Sequence, residues 1–467
     1  MPLTTRHTPR IKHIRVRWLA DFRKLPLLKK LFWLYFLLLI FEGALRKWVF
    51  PQFAGPLLLV RDPVAVWIIW EAFRTKKWPQ RWSTVTAILV AFICGLTLLQ
   101  VMLNDVPWWV AVYGVRSYLL PFPVAFIMGE NLDPADMRKF AICTLVLLLP
   151  LVALEVAQYR ADPSSPLNAG AGLEAHQTTY YGAHARASGT FSYNVGPTSY
   201  APLAAAFIFF GLTSDRFGKR WLLWAATAAL ILSAPSVGSR AMIFELAEVV
   251  VCAAIAALLG ASQFVRTLRI VVPIFAVYFL VSYLPVFSQA SQTLNNRFNQ
   301  ADAAEGGSVQ SSMEMRAFGP IIGAVVQTDF TKNVIGQGLG TGAAAISKVT
   351  TGHVSFLMGE YEITRVIGEF GPIGGFSFML FLYGLALILF ISAFLRAREG
   401  SPLGLLLFTV LFNSLTAGIL EQPTEQGFMV IALAFTLSAV ERRRVVAKSA
   451  HEVQPLPRPL RYSQAVR

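Results

Sequence analysis

The stretch 84-TVTAILVAFICGLTLLQVML-103 runs for twenty residues without a charged side chain. At about 1.5 Å of rise per residue, a helix of that length covers the roughly 30 Å of a bilayer's hydrocarbon core. It is preceded by the basic turn 74-RTKKWPQRW-82 and followed by 104-NDVP-107, after which a second apolar run starts at once. Two apolar runs joined by a four-residue polar turn are a membrane hairpin, with its basic end on one side of the bilayer and its end free of Lys and Arg on the other.

The same pattern repeats along the chain. Spans are expected at roughly 31–49, 54–73, 84–103, 108–129, 139–159, 196–214, 220–234, 240–260, 269–286, 372–395, 402–420 and 427–440. With 55% hydrophobic and 14% charged residues over 467 positions and a mean hydropathy of +0.54, the chain reads as an all-α polytopic membrane protein of about twelve transmembrane helices. The first thirty residues hold nine Lys and Arg, and 214-SDRFGKR-220, 396-RAREG-400 and 441-ERRRVVAK-448 fall on the same side when the spans are counted through. That bias places both termini in the cytoplasm, and 421-EQPTEQ-426 opposite them. It also accounts for the net charge of +15 without a nucleic-acid partner. The N-terminus has no short apolar core followed by a small-residue cleavage site, so no removed signal peptide is expected. Cys94, Cys143 and Cys252 all fall in apolar stretches and are expected as small core residues.

The expected organisation is a basic cytoplasmic tail (1–30), nine spans (31–286) with an outer loop at 160–195, a large extracytoplasmic loop (287–371) between spans nine and ten, three further spans (372–440) and a second cytoplasmic tail (441–467). Long loops are uncommon unless functional or disordered. In the large loop, 313-MEMRAFGPIIGAVVQ-327 alternates at near-helical spacing, as an interfacial helix would, and 336-GQGLGTG-342 is a tight glycine turn. The two long loops are not matched between halves, which counts against an inverted-repeat transporter.

Ionisable residues within spans are costly and mark candidate sites. In 41-FEGALRKWVFP-51, Glu42 and Arg46 stand four apart on one helical face; Arg46 and Lys47 could equally snorkel beside Trp48 as interfacial anchors. Arg61 and Asp62 are expected to neutralise each other or partners elsewhere in the bundle. Arg116, in 112-VYGVRSYLLPFP-123, has no acidic neighbour one helical turn away, so it must face the bundle interior, a water-filled cavity or an anionic ligand. Arg240 follows Ser236, Gly238 and Ser239 at a helix start, where exposed amides, the helix dipole and a guanidinium suit phosphate oxygens. Arg186 in 186-RASGTFSYNVG-196 repeats that grammar, with Asn194 placed to cap the following helix. Two such sites on one side suggest an anionic ligand at the outer leaflet, and a lipid pyrophosphate fits best.

At these residues the chain resembles the O-antigen ligase and polysaccharide polymerase superfamily of bacterial envelope enzymes. RASGTFSYNVG at 186–196 is similar to the family's Arg-x-x-Gly-Thr-Phe-x-x-x-Asn stretch, GSRA at 238–241 to its Ser-Arg span start, and 313–342 to its arginine-led loop helix with a Gly-x-Gly turn. The segment 359-GEYEITRVIGEFGPIGG-375 resembles its His-Asn…Glu-x-Gly-x-x-Gly motif, with Glu360 in the histidine place and Tyr361 in the asparagine place. EGALRKW and GVRSYLLP look like features of an exopolysaccharide branch. The resemblance implies a multi-pass protein of the bacterial cytoplasmic (inner) membrane, a glycosyltransferase that uses neither metal nor cofactor. It would move a glycan from a polyprenyl-pyrophosphate-linked donor to a sugar-hydroxyl acceptor, in polymerisation or ligation of cell-surface polysaccharide or exopolysaccharide. An envelope polysaccharide-assembly complex is a partner it allows.

Arginines near the leaving pyrophosphate would stabilise the charge that develops there. Arg240 and Arg316 match the family's functional arginines, and Glu360 holds the place of the base; Glu362 or His353 could take that part instead. Arg186, Arg116 and Arg365 are further candidates for substrate contact. Asp302 and Glu305 lie near one another, but no acidic cluster in the outer loops reads as a metal site. The alternative is a transporter or flippase of an anionic lipid-linked saccharide, for which the deeper Glu245 and Glu248 are the best support. A non-catalytic scaffold of an envelope complex would leave the arginines unexplained.

Overall fold

The protein is described here from a computed structural model covering residues 24–171, 180–181, 184–213, 219–259, 333–343, 346 and 362–441, with isolated positions between 274 and 299. The helices, in chain order, are α1 Leu27–Ala44, α2 Asp62–Arg74, α3 Ser83–Leu103, α4 Trp108–Leu119, α5 Pro121–Asn131, α6 Pro134–Arg160, α7 Val195–Thr213, α8 Arg220–Val237, α9 Arg240–Leu258, α10 Glu362–Arg398, α11 Leu403–Thr416 and α12 Pro423–Glu441. A two-residue ribbon pairs Tyr180–Tyr181 with His184–Ala185, antiparallel.

Among the described residues, eight helices are long and apolar enough to cross a membrane, with α4 and α5 counted as one, and nine if Pro51–Leu57 and α2 form one span bent by 40°. The chain is therefore a polytopic helical membrane protein. Three of the twelve expected spans do not add to that number, each for its own reason. Helix α1 carries Lys29, Lys30 and Glu42 within its eighteen residues, α11 is only fourteen residues long, and 269–286 lies mostly outside the described residues. The expected twelfth span is the most enclosed: 89% of the apolar window of α12 is buried, against 28% for α3 and α9. Helix α12 packs on α5 and α11, α8 on α6, and α7 between α8, α9 and α11, so the core forms around α12 while α3 leans outward beside α4. Cys94 is exposed on α3, which corrects the expectation that all three cysteines are core residues; Cys143 and Cys252 are half-buried.

Local sequence sets the helix ends. Asp133 caps α6 through a reciprocal box in which its Oδ1 accepts from the amides of Ala135 and Asp136, both at 2.9 Å, while Asp136 accepts from the Asp133 amide at 3.3 Å. Lys29 from α1 donates to Asp133 at 2.7 Å and also to Asp136. Burial pushes the Asp133 carboxyl up, but Lys29 and the amide donors outweigh it and hold the group at about 2.

At the opposite end, α10 breaks at Gly371, whose φ of +76° is left-handed, immediately before Pro372. The turn 333–343 rests on that break. A Cβ at Gly371 would overlap the Val334 carbonyl, and one at Gly336 would overlap the Glu369 carbonyl. On the turn's other side Gly114 of α4 meets the backbone of Leu339. Backbone thus lies on backbone, and only glycine permits the approach. Gln100, at the end of α3, completes the joint: its Nε2 donates to the carbonyls of Ile335 (2.7 Å) and Glu369 (2.6 Å), and its Oε1 accepts from the Leu339 amide (2.9 Å). Gly371→Ala is expected to destabilise the protein by about 2 kcal/mol or more, from the left-handed φ and the overlap together. Thermal melting in detergent and protease access at 333–343 measure this, and an unchanged melting point with a protected turn would refute the joint.

Candidate functional site

The conspicuous segments of the sequence meet at the end of the bundle where α1, α3 and α6 finish. Beyond Ala44 the α1 ladder widens into a π-turn over Leu45–Val49, a form that recurs at functional sites. It turns Arg46 and Lys47 inward, and both are buried. They are therefore not snorkelling anchors. Arg46 donates to the Ala54 carbonyl and to Ser192 Oγ, each at 2.8 Å, and lies 3.5 Å from Glu42. Lys47 donates to Ser188 Oγ.

Ser188 and Ser192 belong to the 186–196 stretch, which is laid across the end of α1. Thr190 Oγ1 donates to the Ile40 carbonyl at 2.6 Å, and a Cβ at Gly43 would overlap the backbone of Phe191 and Ser192. From below, Gln158 of α6 accepts from the amides of Ser188 (3.1 Å) and Gly189 (2.8 Å) and donates to the Leu167 carbonyl (2.9 Å). Beside it, buried Glu155 accepts from Ser233 Oγ at 2.5 Å. The run of small residues is thus explained by close packing, and its two serines by the buried cations.

A second set of contacts begins at Arg61 and Asp62. Arg61 Nε donates to Glu42 at 3.1 Å and its Nη2 to the Pro423 carbonyl, while a Cβ at Gly427 would overlap its guanidinium. Arg116 makes a two-pronged pair with Asp62, Nε to Oδ2 at 2.7 Å and Nη2 to Oδ1 at 3.0 Å. Of the three surroundings expected for Arg116, the bundle interior is the one observed, with Asp62 as its partner in place of a cavity or an anionic ligand. Its counter-charge comes from another helix, a pairing that inspection of one helical face cannot find.

The third set surrounds α10 before its break. Arg365 and Glu362, expected at the substrate, are buried and face each other at 3.3 Å, with Arg365 also 3.7 Å from Glu421. Glu362 accepts from the Leu420 amide at 3.3 Å. Glu369 accepts from the amides of Gly340 (3.0 Å) and Gly342 (2.6 Å), so the glycine turn spends these donors on an internal carboxylate. Burial, then the charges of Glu369 and Glu362, push the Glu421 carboxyl well above its ordinary value. Glu369 is marked in the sequence only as the first residue of the Glu-x-Gly-x-x-Gly match, and Glu421, Gln100 and Gln158 only as an acid and two amides at the polar ends of apolar runs.

Arg186 follows the short ribbon and is half-buried. Arg240, also half-buried, opens α9. The Ser-Gly-Ser before it forms a helix end and a helix start: Gly238, at φ +61°, closes α8, and Ser239 Oγ accepts from the Met242 amide at 3.4 Å. Helix α9 starts beside α7, with Met242 packed on Ala201. Arg186 and Arg240 thus lead into two neighbouring helices. Asn194 offers its carbonyl to the Thr198 amide and hydroxyl. Arg316, His353 and Glu360 lie outside the described residues. Among the described residues no group of three or more His, Cys, Asp or Glu is placed to hold a metal.

The pairing of Asp62 with Arg116 has a measurable consequence. Arg116→Met leaves a half-buried carboxylate without its two-pronged partner and is expected to cost about 2 kcal/mol, most of which Asp62→Asn in the same chain should restore. Unfolding of the two single variants and the double variant measures the coupling, and strictly additive losses would refute it. Comparison with known proteins gives no family: no protein-family model matches the chain, and no curated protein matches it.

Proposed function

We propose that this protein is a membrane glycosyltransferase that polymerises or ligates a polyprenyl-pyrophosphate-linked glycan at the outer leaflet, in cell-surface polysaccharide or exopolysaccharide biosynthesis. One observation carries the reading: the segments that resemble the ligase and polymerase superfamily, 186–196, 238–241 and 336–342, all lie toward one end of the helical bundle, two of them docked on buried charge or on the break in α10. A lipid-linked donor presents its charge at that depth and its tail to the bilayer. In the transfer, the bond between sugar C1 and the pyrophosphate oxygen breaks and the acceptor hydroxyl bonds to C1. The developing negative charge calls for arginine, and Arg240 and Arg316, with Arg186 as a further candidate, are the residues assigned to it. Glu360 is assigned to take the acceptor proton.

Arg240→Ala and Arg316→Ala should each abolish polymer in a deletion strain complemented with the variant, at unchanged protein level; normal polymer in both would overturn the reading. The lipid-linked glycans of the deletion strain separate the two activities: single repeat units accumulate when a polymerase is lost, full-length undelivered chains when a ligase is lost. A flippase of an anionic lipid-linked saccharide is the second reading, favoured by Glu248, which lies two turns into α9 and accepts from Asn413 of α11 at 2.5 Å. Scrambling of a labelled lipid-linked saccharide by the purified protein in liposomes would support it over the transferase.

A further inference from the structure

Three carboxyl groups, Glu362, Glu369 and Glu421, are buried near the Arg365 side chain, where the linker 417–422 meets α10 and the glycine turn. They are not equivalent. Glu362 has Arg365 at 3.3 Å and the Leu420 amide. Glu369 has the amides of Gly340 and Gly342, one on each oxygen. Glu421 is only 3% exposed, both its oxygens are sealed from solvent, and neither accepts a hydrogen bond from a donor among the described residues. Among the described residues Arg365 lies 3.7 Å from it, and the carboxyl group of Glu369 faces it within hydrogen-bond reach.

Two facing carboxylates this deeply buried repel one another strongly when both are charged, and the favourable arrangement has one proton between them. We propose that Glu369 and Glu421 form a proton-binding dyad in which Glu421 carries the proton and donates it to Glu369. The division follows from the donors: Glu369 has two amides to stabilise a negative charge, and Glu421 has none among the described residues. The groups that face the pair are Glu362 and Arg365 from α10 and Tyr113 and Tyr118 from α4, the Tyr113 hydroxyl donating to the Glu421 carbonyl at 3.2 Å and the buried Tyr118 hydroxyl facing Glu369. Glu425 of α12, held by the Ile419 amide, lies beyond Glu362. The dyad joins three parts of the chain, because the same Glu369 carboxylate holds the glycine turn and the same linker leads into α12. Burial and the charge of Glu369 keep the Glu421 carboxyl well above its ordinary value.

A proton held in the folded state, but released by the unfolded chain above the ordinary carboxylate range, stabilises the fold at low pH and is lost as the pH rises through the folded-state value. The full chain in detergent micelles, melted at intervals from about pH 6 to about pH 9, tests this. The melting temperature of the wild type should fall across that window. Glu421→Gln keeps the shape and the donor but cannot titrate, so its slope should be shallower by the share of one titrating group, and at the upper end it should melt above the wild type. Glu369→Gln, measured beside it, should lose the same part of the slope. A Glu421→Gln slope equal to the wild type's would overturn the proposal. So would a Glu421→Gln chain that fails to fold at every pH, since a carboxamide fits wherever a neutral carboxyl does.

Discussion

Arg61 and Asp62, adjacent in sequence, tie together four helices. Arg61 reaches Glu42 of α1 and the carbonyl of Pro423 at the start of α12, with its guanidinium 5.6 Å from the centre of the Tyr35 ring; Asp62, the first residue of α2, takes both prongs of Arg116 from α4. A guanidinium taken out of water is costly unless it is paired, so each must meet acceptors from the helices that enclose it. Gly427 shows how tight the requirement is, for any side chain there would occupy the space of Arg61. The contacts of this dipeptide thus set α1, α2, α4 and α12 against one another.

Much of this framework could be read from the sequence because the bilayer leaves few alternatives. The uncharged run at 84–103, the basic turn before it and the polar turn after it identify α3 without reference to any other residue. The serine before Arg240 and the glycine before that serine are likewise local signals, and they form the expected helix junction. The π-turn after α1 was not legible. Its residues, LRKWV, have an ordinary helical pattern, and only the docking of 188–192 from the other side explains why Arg46 and Lys47 point inward.

Long-range pairing marks the limit of such reading. Arg116 finds its partner 54 positions away, and Gln100 finds its partners 235 to 269 positions away. Neither distance has a signature in sequence, because the partner is set by how helices pack and not by a period along the chain. The carboxyl groups are a related case. Glu362 and Arg365 look accessible on a loop, yet α10 begins at Glu362 and carries both into the interior. Residues that resemble a site by motif can thus serve to hold the site together.

Two glutamines do similar work in different places. Gln100 closes the last turn of α3 onto the glycine turn, and Gln158 closes the last turn of α6 onto 188–189; each accepts from and donates to backbone that has no partner in a regular element. A carboxamide can do both without adding charge, which a glutamate or lysine could not. The sign of this end of the bundle is therefore left to the ionic side chains. Arg46, Lys47, Arg61 and Arg116 outnumber Glu42, Asp62 and Glu155 on the side where 186–196 docks, whereas Glu362 and Glu369 outnumber Arg365 where the glycine turn docks. Neutral anchors let the two turns sit on regions of opposite sign, so an anionic headgroup would be drawn toward the 186–196 turn and away from the glycine turn.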